Sequence, residues 1–229
     1  MLSVLSAERF MKPDVIYFHT NIRPIGEYWE RVLQVPSLKI VDRKPTTCVF
    51  GKPILNPLFG TSGSNVDRLI VLMKYGGIYL DLDVLLIQSL DPLLQYPCTV
   101  GKEKPDKVCG SIIIGARESA FLKLWLEHYL FDYKMWTWAY NSGVVPTVLA
   151  TQYPTLVHVE EENLNTPDGD QIHKIWGSES FDWRSHYSVH LLYYRWKHVN
   201  YFVITEPDED YIKKDNSTFS QVARHILYR

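Results

Sequence analysis

Apolar residues change period repeatedly along this chain, and that alternation limits the possible folds more than any other feature. Residues 2–11 (LSVLSAERFM) read as an amphipathic helix. Val15, Ile16, Tyr17 and Phe18 follow Pro13 and predict a strand over 14–21. IGEYWERVLQV (25–35) reads as a helix between Pro24 and Pro36, and LKIVD (38–42) as a short strand. Segment 43–63, rich in Pro and Gly, reads as loop. Val66, Leu69, Ile70 and Met73 return to helical spacing, with Ser64 as N-cap and Gly76-Gly77 as stop. IYLDLDVLLI (78–87) and SIIIGA (111–116) predict strands. Residues 119–131 predict a helix, and 141–153 a helix entered near Pro146. Strands are expected at 155–160 and 187–194, and FSQVARHILYR closes as an amphipathic helix. The alternation predicts one α/β domain over 1–229 with a mainly parallel central sheet. The polar run 161–171 reads as a loop inside that domain.

Composition narrows the function. A hydrophobic share of 46%, with 14% aromatic, predicts a large core and aromatic faces on which a sugar-like ligand can stack. A net charge of -2 with no basic patch argues against a nucleic-acid partner. Cys48, Cys98 and Cys109 form neither a disulfide framework nor a metal-ligand spacing and read as small core residues. No apolar stretch approaches the roughly 20 residues of a transmembrane segment. Glu8 and Arg9 make the first twelve residues a helix rather than a signal peptide. The sequon Asn216-Ser217-Thr218 points weakly to a secretory route.

One stretch carries chemistry. In KYGGIYLDLDVLL (74–86), a continuous strand puts Ile78, Leu80, Leu82 and Val84 on one face and Tyr79, Asp81 and Asp83 on the other. Two carboxylates about 6.6 Å apart along one face repel unless water or a cation compensates them. A divalent ion does so, and carboxylate oxygens suit Mg²⁺ or Mn²⁺ held jointly with a substrate diphosphate. A bare D-x-D is more often a pair of solvated acids at a strand end. Here a helix containing Asp67-Arg68 and a double glycine precede it.

That unit, SNVDRLIVLMKYGGIYLDLDVLLIQSLD (64–91), resembles glycosyltransferase family 32, the group with a DXD sugar-binding region that includes α-1,4-galactosyltransferases and yeast mannosyltransferases. CGSIIIGARESAFLKLWLEHY, WAYNSGVVPTVLATQYPTLVHVE and YSVHLLYYRW are similar to later segments of such enzymes, so the resemblance covers most of the chain. It implies a GT-A-like fold, a nucleotide-sugar donor (UDP- or GDP-linked), Mn²⁺ or Mg²⁺, and retention of anomeric configuration. The acceptor is then a glycan, glycolipid or glycoprotein, and the compartment the Golgi lumen. By the same resemblance Asp81 binds donor and metal, Asp83 ligates the metal and His190 completes its shell. Arg68, Asp67, Asn65, Tyr79, Asn141, Ser142 and His19 are the implied donor-side residues, and Arg68 can pair either with a donor phosphate or with an aspartate of the motif. Trp136, Trp138 and Tyr140 are either core or the floor of an acceptor site. Asn65 stands where the family has aspartate, keeping the hydrogen-bonding shape without the charge. Relatives begin with a strand ahead of the helix at 1–11, so the resemblance implies that this first strand is missing here.

Two rivals are weighed. A haloacid-dehalogenase-type phosphatase also uses D-x-D, but usually has Thr or Val where Leu85 stands and needs paired late aspartates. A glycosyltransferase-like binding or scaffold protein without catalysis is the closer alternative. At this level Asp83→Asn is expected to relieve carboxylate repulsion and leave stability equal or higher.

Overall fold

The computed structural model describes residues 1–54, 62–104, 106–179, 181–193, 195–196 and 207–228. Part of the expected loop at 43–63 and the end of the expected strand at 187–194 therefore lie outside the described residues. The chain opens with α1 (Leu2–Met11). A βαβ unit follows: β1 (Ile16–Thr20), α2 (Glu27–Leu33) and β2 (Leu38–Asp42), with β1 and β2 parallel from Ile16↔Leu38 to Thr20↔Asp42. A small antiparallel pair, β3 (Cys48–Val49) and β4 (Lys52–Pro53), leads to α3 (Ser62–Tyr75).

The central sheet holds β5 (Gly77–Leu80), β8 (Lys107–Gly115), β7 (Cys98–Lys104) and β9 (His158–Glu160), in that spatial order. Only β7 and β9 run parallel; β5–β8 and β8–β7 are antiparallel. The mainly parallel sheet expected from the sequence is thus corrected to a mixed one. The reason is local: the chain reverses between Lys104 and Lys107, so 98–115 is a hairpin and not a single strand approached by a crossover. β7 carries no strand signal in the sequence, because its second half, GKEK, lacks an apolar alternation.

Both faces of the sheet are buried. Ile113 packs with Val66, Leu69, Phe121, Leu122 and Trp125 from α3 and α4 (Ala120–Phe131). Ile112 and Ile114 pack on the opposite side with Ala7 of α1 and Val84, Leu86 and Leu164. Burial on both faces explains why β8 reads as an uninterrupted apolar run. A single π-type turn over Tyr140–Val144 leads into α5 (Val145–Gln152). Next come α6 (His173–Trp176), β10 (Ser188–His190), α7 (Glu209–Lys214) and α8 (Thr218–Tyr228). α6, β10 and α8 gather around Trp176, Val189 and Phe219 into a further cluster. No helix among the described residues is long and apolar enough to cross a membrane.

The polar run 161–171 is a loop inside the domain, as expected, and two of its residues, Leu164 and Asn165, are fully buried. Ser111 Oγ donates to Asn165 Oδ1 at 2.6 Å, and Ser188 Oγ donates to the Leu164 carbonyl, so the segment straps β8 to β10. Ser64 lies inside α3 rather than capping it, and its carbonyl accepts from Arg68 Nε at 3.1 Å. All three cysteines are free, and only Cys98 is fully buried; Cys48 is exposed.

Gly76 and Gly77 end α3 and launch β5 with φ of 70° and 111°, a region that favours glycine. A Cβ on Gly76 would stand 2.9 Å from the Arg117 backbone nitrogen. Gly76→Ala is therefore expected to destabilise the fold by about 1–3 kcal/mol; a thermal melt unchanged from the parent would contradict the tight turn.

Candidate metal and donor site

The strand expected over 78–87 is broken, and the break builds the site. β5 ends at Leu80 in the central sheet, and β6 (Val84–Leu86) pairs instead with β10. Between them Asp81, Leu82 and Asp83 form a turn, closed by Val84 N donating to the Asp81 carbonyl at 3.1 Å. The assignment of residues 78–84 to alternating faces of one strand is corrected accordingly. Leu82, placed on the core face by that alternation, is 69% exposed.

Strand pairing delivers the third residue. His190 lies opposite Val84, and Leu191 N donates to the Asp83 carbonyl at 2.8 Å. One ligand-type atom from each of Asp81, Asp83 and His190 lies within 4.8 Å of the others. His190 is buried, and its Nε2 stands 3.3 Å from Asp83 Oδ1. Its Nδ1 is buried with no hydrogen-bond partner among the described residues. Burial alone would lower the His190 pKa, but the hydrogen bond to Asp83 and the neighbouring Cys109 outweigh it and hold it well above the usual histidine value. Burial works against ionised Asp83 too; the His190 contact prevails and keeps its carboxyl below the usual range.

Asp81 is held from its other side. Its backbone nitrogen donates to the Ser111 carbonyl at 2.8 Å, tying the turn to β8. Tyr79 Oη donates to Asp81 Oδ1 at 2.5 Å, and Arg68 Nη2 lies 3.4 Å from the same oxygen. The Arg68 guanidinium sits over the Tyr79 ring, 4.4 Å from its centroid, and Nη1 donates to the Gly110 carbonyl at 2.5 Å. Burial pushes the Tyr79 phenol far above its ordinary pKa, so it is a neutral donor. Each aspartate thus already faces a cation, Asp81 with Arg68 and Asp83 with His190. The expectation that the two carboxylates are uncompensated without metal does not hold.

The remaining sequence candidates divide. Ser142 borders the Arg68 side: a Cβ on Gly110 would be 3.3 Å from Arg68 Nη1 and 3.6 Å from the Ser142 carbonyl. Asn65 is half-buried on α3, one turn ahead of Arg68. Asp67 instead receives Arg43, Thr46 N at 3.2 Å and Thr46 Oγ1 at 2.5 Å, which pins the segment after β2 onto α3. His19, exposed on β1, is in electrostatic reach of Arg43 and Asp67. The Asn141 amide is spent on the backbone of Lys134, giving to its carbonyl at 2.9 Å and accepting from its nitrogen at 3.1 Å. Trp136 and Trp138 are 64% and 66% exposed, so neither is a core residue. Gly110, Ser111 and Asn165 were missed; small and polar residues at those positions carry no spacing signal in the sequence.

The chain is similar to known glycosyltransferases. Residues 7–99 match the model of the glycosyltransferase sugar-binding region containing the DXD motif. Over 240 aligned residues the chain is 30% identical to glucan organizing enzyme 1 of Cryptococcus neoformans, covering 99% of this chain and 63% of that protein. It is 33% identical over 118 residues to inositol phosphoceramide mannosyltransferase 3 of Schizosaccharomyces pombe, covering 49% of this chain and 31% of the relative. It is 26% identical over 100 residues to the lactosylceramide 4-alpha-galactosyltransferase of Mus musculus, covering 44% and 27%. The chain thus spans less than two thirds of the length of these curated relatives. No solved structure matches. The D-x-D turn lies inside the matched region and carries two of the three residues of the Asp–Asp–His cluster, so the chain is similar to glycosyltransferases with a DXD-containing sugar-binding region.

Proposed function

We propose that this protein is a metal-dependent retaining glycosyltransferase that moves a sugar from a nucleotide-sugar donor to a glycan or glycolipid acceptor. The observation that carries the reading is the meeting of Asp81, Asp83 and His190 within 4.8 Å, across two strands far apart in sequence. Two carboxylates and one imidazole fit Mn²⁺ or Mg²⁺, with positions left for diphosphate oxygens. His190 is buried beside Asp83, which supports a ring sheltered from bulk water. Bound there, the ion would neutralise charge developing on the leaving diphosphate.

The chain's own groups hold that arrangement. Asp83 and His190 are fixed by strand pairing and so present their ligand atoms without reorganisation. Asp81 sits on the donor side, steadied by Tyr79 and Arg68. The exposed Trp136 and Trp138 offer faces on which an acceptor can stack. The retaining stereochemistry rests on the family resemblance, and so does the Golgi lumen as the place of action. Two relatives carry names that specify ceramide acceptors, which supports a glycolipid here. A binding or scaffold role is less favoured, because all three candidate ligand side chains of the site are present. A panel of UDP- and GDP-sugars tested for Mn²⁺-dependent donor hydrolysis examines the reading; no turnover with any donor would remove it.

Asp83→Asn is expected to cut that hydrolysis at least about a hundredfold. It also leaves buried His190 without its partner, so the metal-free melting temperature falls instead of rising as repulsion alone would suggest. Normal turnover in this variant would refute the metal role. Proton linkage gives a second expectation. The Asp83–His190 pair supports the metal-free fold above the usual carboxylate range, and that support is lost as pH rises through the elevated His190 pKa. Metal needs the neutral imidazole, so Mn²⁺ affinity measured by calorimetry should rise as pH rises toward and through the elevated His190 pKa. A flat profile would show that His190 is not a ligand.

A further inference from the structure

The family resemblance implies that Arg68 and Tyr79 touch the donor, but their contacts are already committed. Of the five N–H groups on a guanidinium, Nε donates to Ser64 and Nη1 to Gly110, both backbone carbonyls, while Nη2 faces Asp81. The side chain is only 7% exposed, which leaves little of it to grip a phosphate. Tyr79 Oη is likewise given to Asp81, and its ring is covered by Arg68. Both contacts fall on the same oxygen, Oδ1. Among the described residues, the other oxygen of Asp81 has no protein partner, and the carboxylate is 29% exposed.

We propose that Arg68 and Tyr79 are positioning residues: they bind one oxygen of Asp81 to the protein and leave the other as the single oxygen presented to metal and donor. This rests on the proposed function and deepens it. A carboxylate free to rotate offers either oxygen, or both at once. One whose Oδ1 is fixed by a neutral O–H and a guanidinium presents its remaining lone pairs in one direction. The anchor reaches back into the fold: the two backbone carbonyls that hold Arg68 belong to α3, which leads into β5, and to β8, which pairs with β5. The same arrangement assigns Tyr79 a role that its place beside the motif does not reveal, since a tyrosine there reads equally as a buried aromatic.

Tyr79→Phe separates the roles, because it keeps the ring beneath Arg68 and removes only the hydroxyl. Calorimetry on the full chain with Mn²⁺ plus UDP, and separately Mn²⁺ plus GDP, measures the outcome. The phenylalanine variant is expected to bind the better of the two about tenfold more weakly than wild type while its melting temperature falls by only about 2–4 °C. Tyr79→Leu, which also removes the ring, is expected to lose more affinity and to melt lower. A Tyr79→Phe protein whose affinity lies within about twofold of wild type overturns the positioning role. If the wild-type chain binds neither mixture, the proposed function fails. The crystal structure of metal-free Tyr79→Phe then still decides this inference: a rotated Asp81 carboxylate supports it, and an unmoved one sinks it.

Discussion

The site depends on one constraint: the chain changes sheets between Leu80 and Val84. A strand that leaves the edge of one sheet to pair in another cannot keep its pleat through the crossing, so three residues form a turn. That turn holds Asp81 and Asp83. On one side β8 receives its backbone through the Asp81 N–Ser111 O bond. On the other, β10 receives it through Leu191 N–Asp83 O and places His190 opposite Val84. Backbone hydrogen bonds thus fix both acids before any ligand arrives, which is the preorganisation that charge stabilisation requires.

Charge balance follows the same division. The two halves of the turn draw their counter-charges from different parts of the chain, Arg68 from α3 and His190 from β10. Close carboxylates are tolerable because each has its own cation, and neither cation must serve both. The arrangement also separates labour. Arg68 is buried, and its Nε, Nη1 and Nη2 each face a protein oxygen. His190 instead turns its Nε2 toward Asp83. Behind them Leu164 and Asn165 connect β8 with β10, so the two walls of the site are held together by a buried strap.

Much of this was legible in advance. The helices at 2–11, 62–75 and 120–131 follow from apolar spacing, and β2 falls on the residues expected, because local period and burial agree there. The D-x-D acids and His190 were named from motif and resemblance, and the fold places them together. Asp67 and Asn141 were named on the same grounds, yet their side chains are taken up by Arg43, Thr46 and Lys134. Motif adjacency ranks residues by position along the chain, whereas hydrogen-bond partners are set by what the backbone brings near.

The sequence by itself determined an α/β chain with an acidic motif set off by a double glycine, since periodicity, glycine freedom and carboxylate chemistry are local properties. Only the tertiary structure decided that the run from Gly77 to Leu86 is two strands in two sheets. Only it made 98–115 a hairpin and the sheet mixed. Strand partners are chosen by long-range pairing, which leaves no mark on the residues between them. The same pairing brought a histidine from late in the chain to face aspartates from its first half, which is why the site exists in the fold and not in the motif.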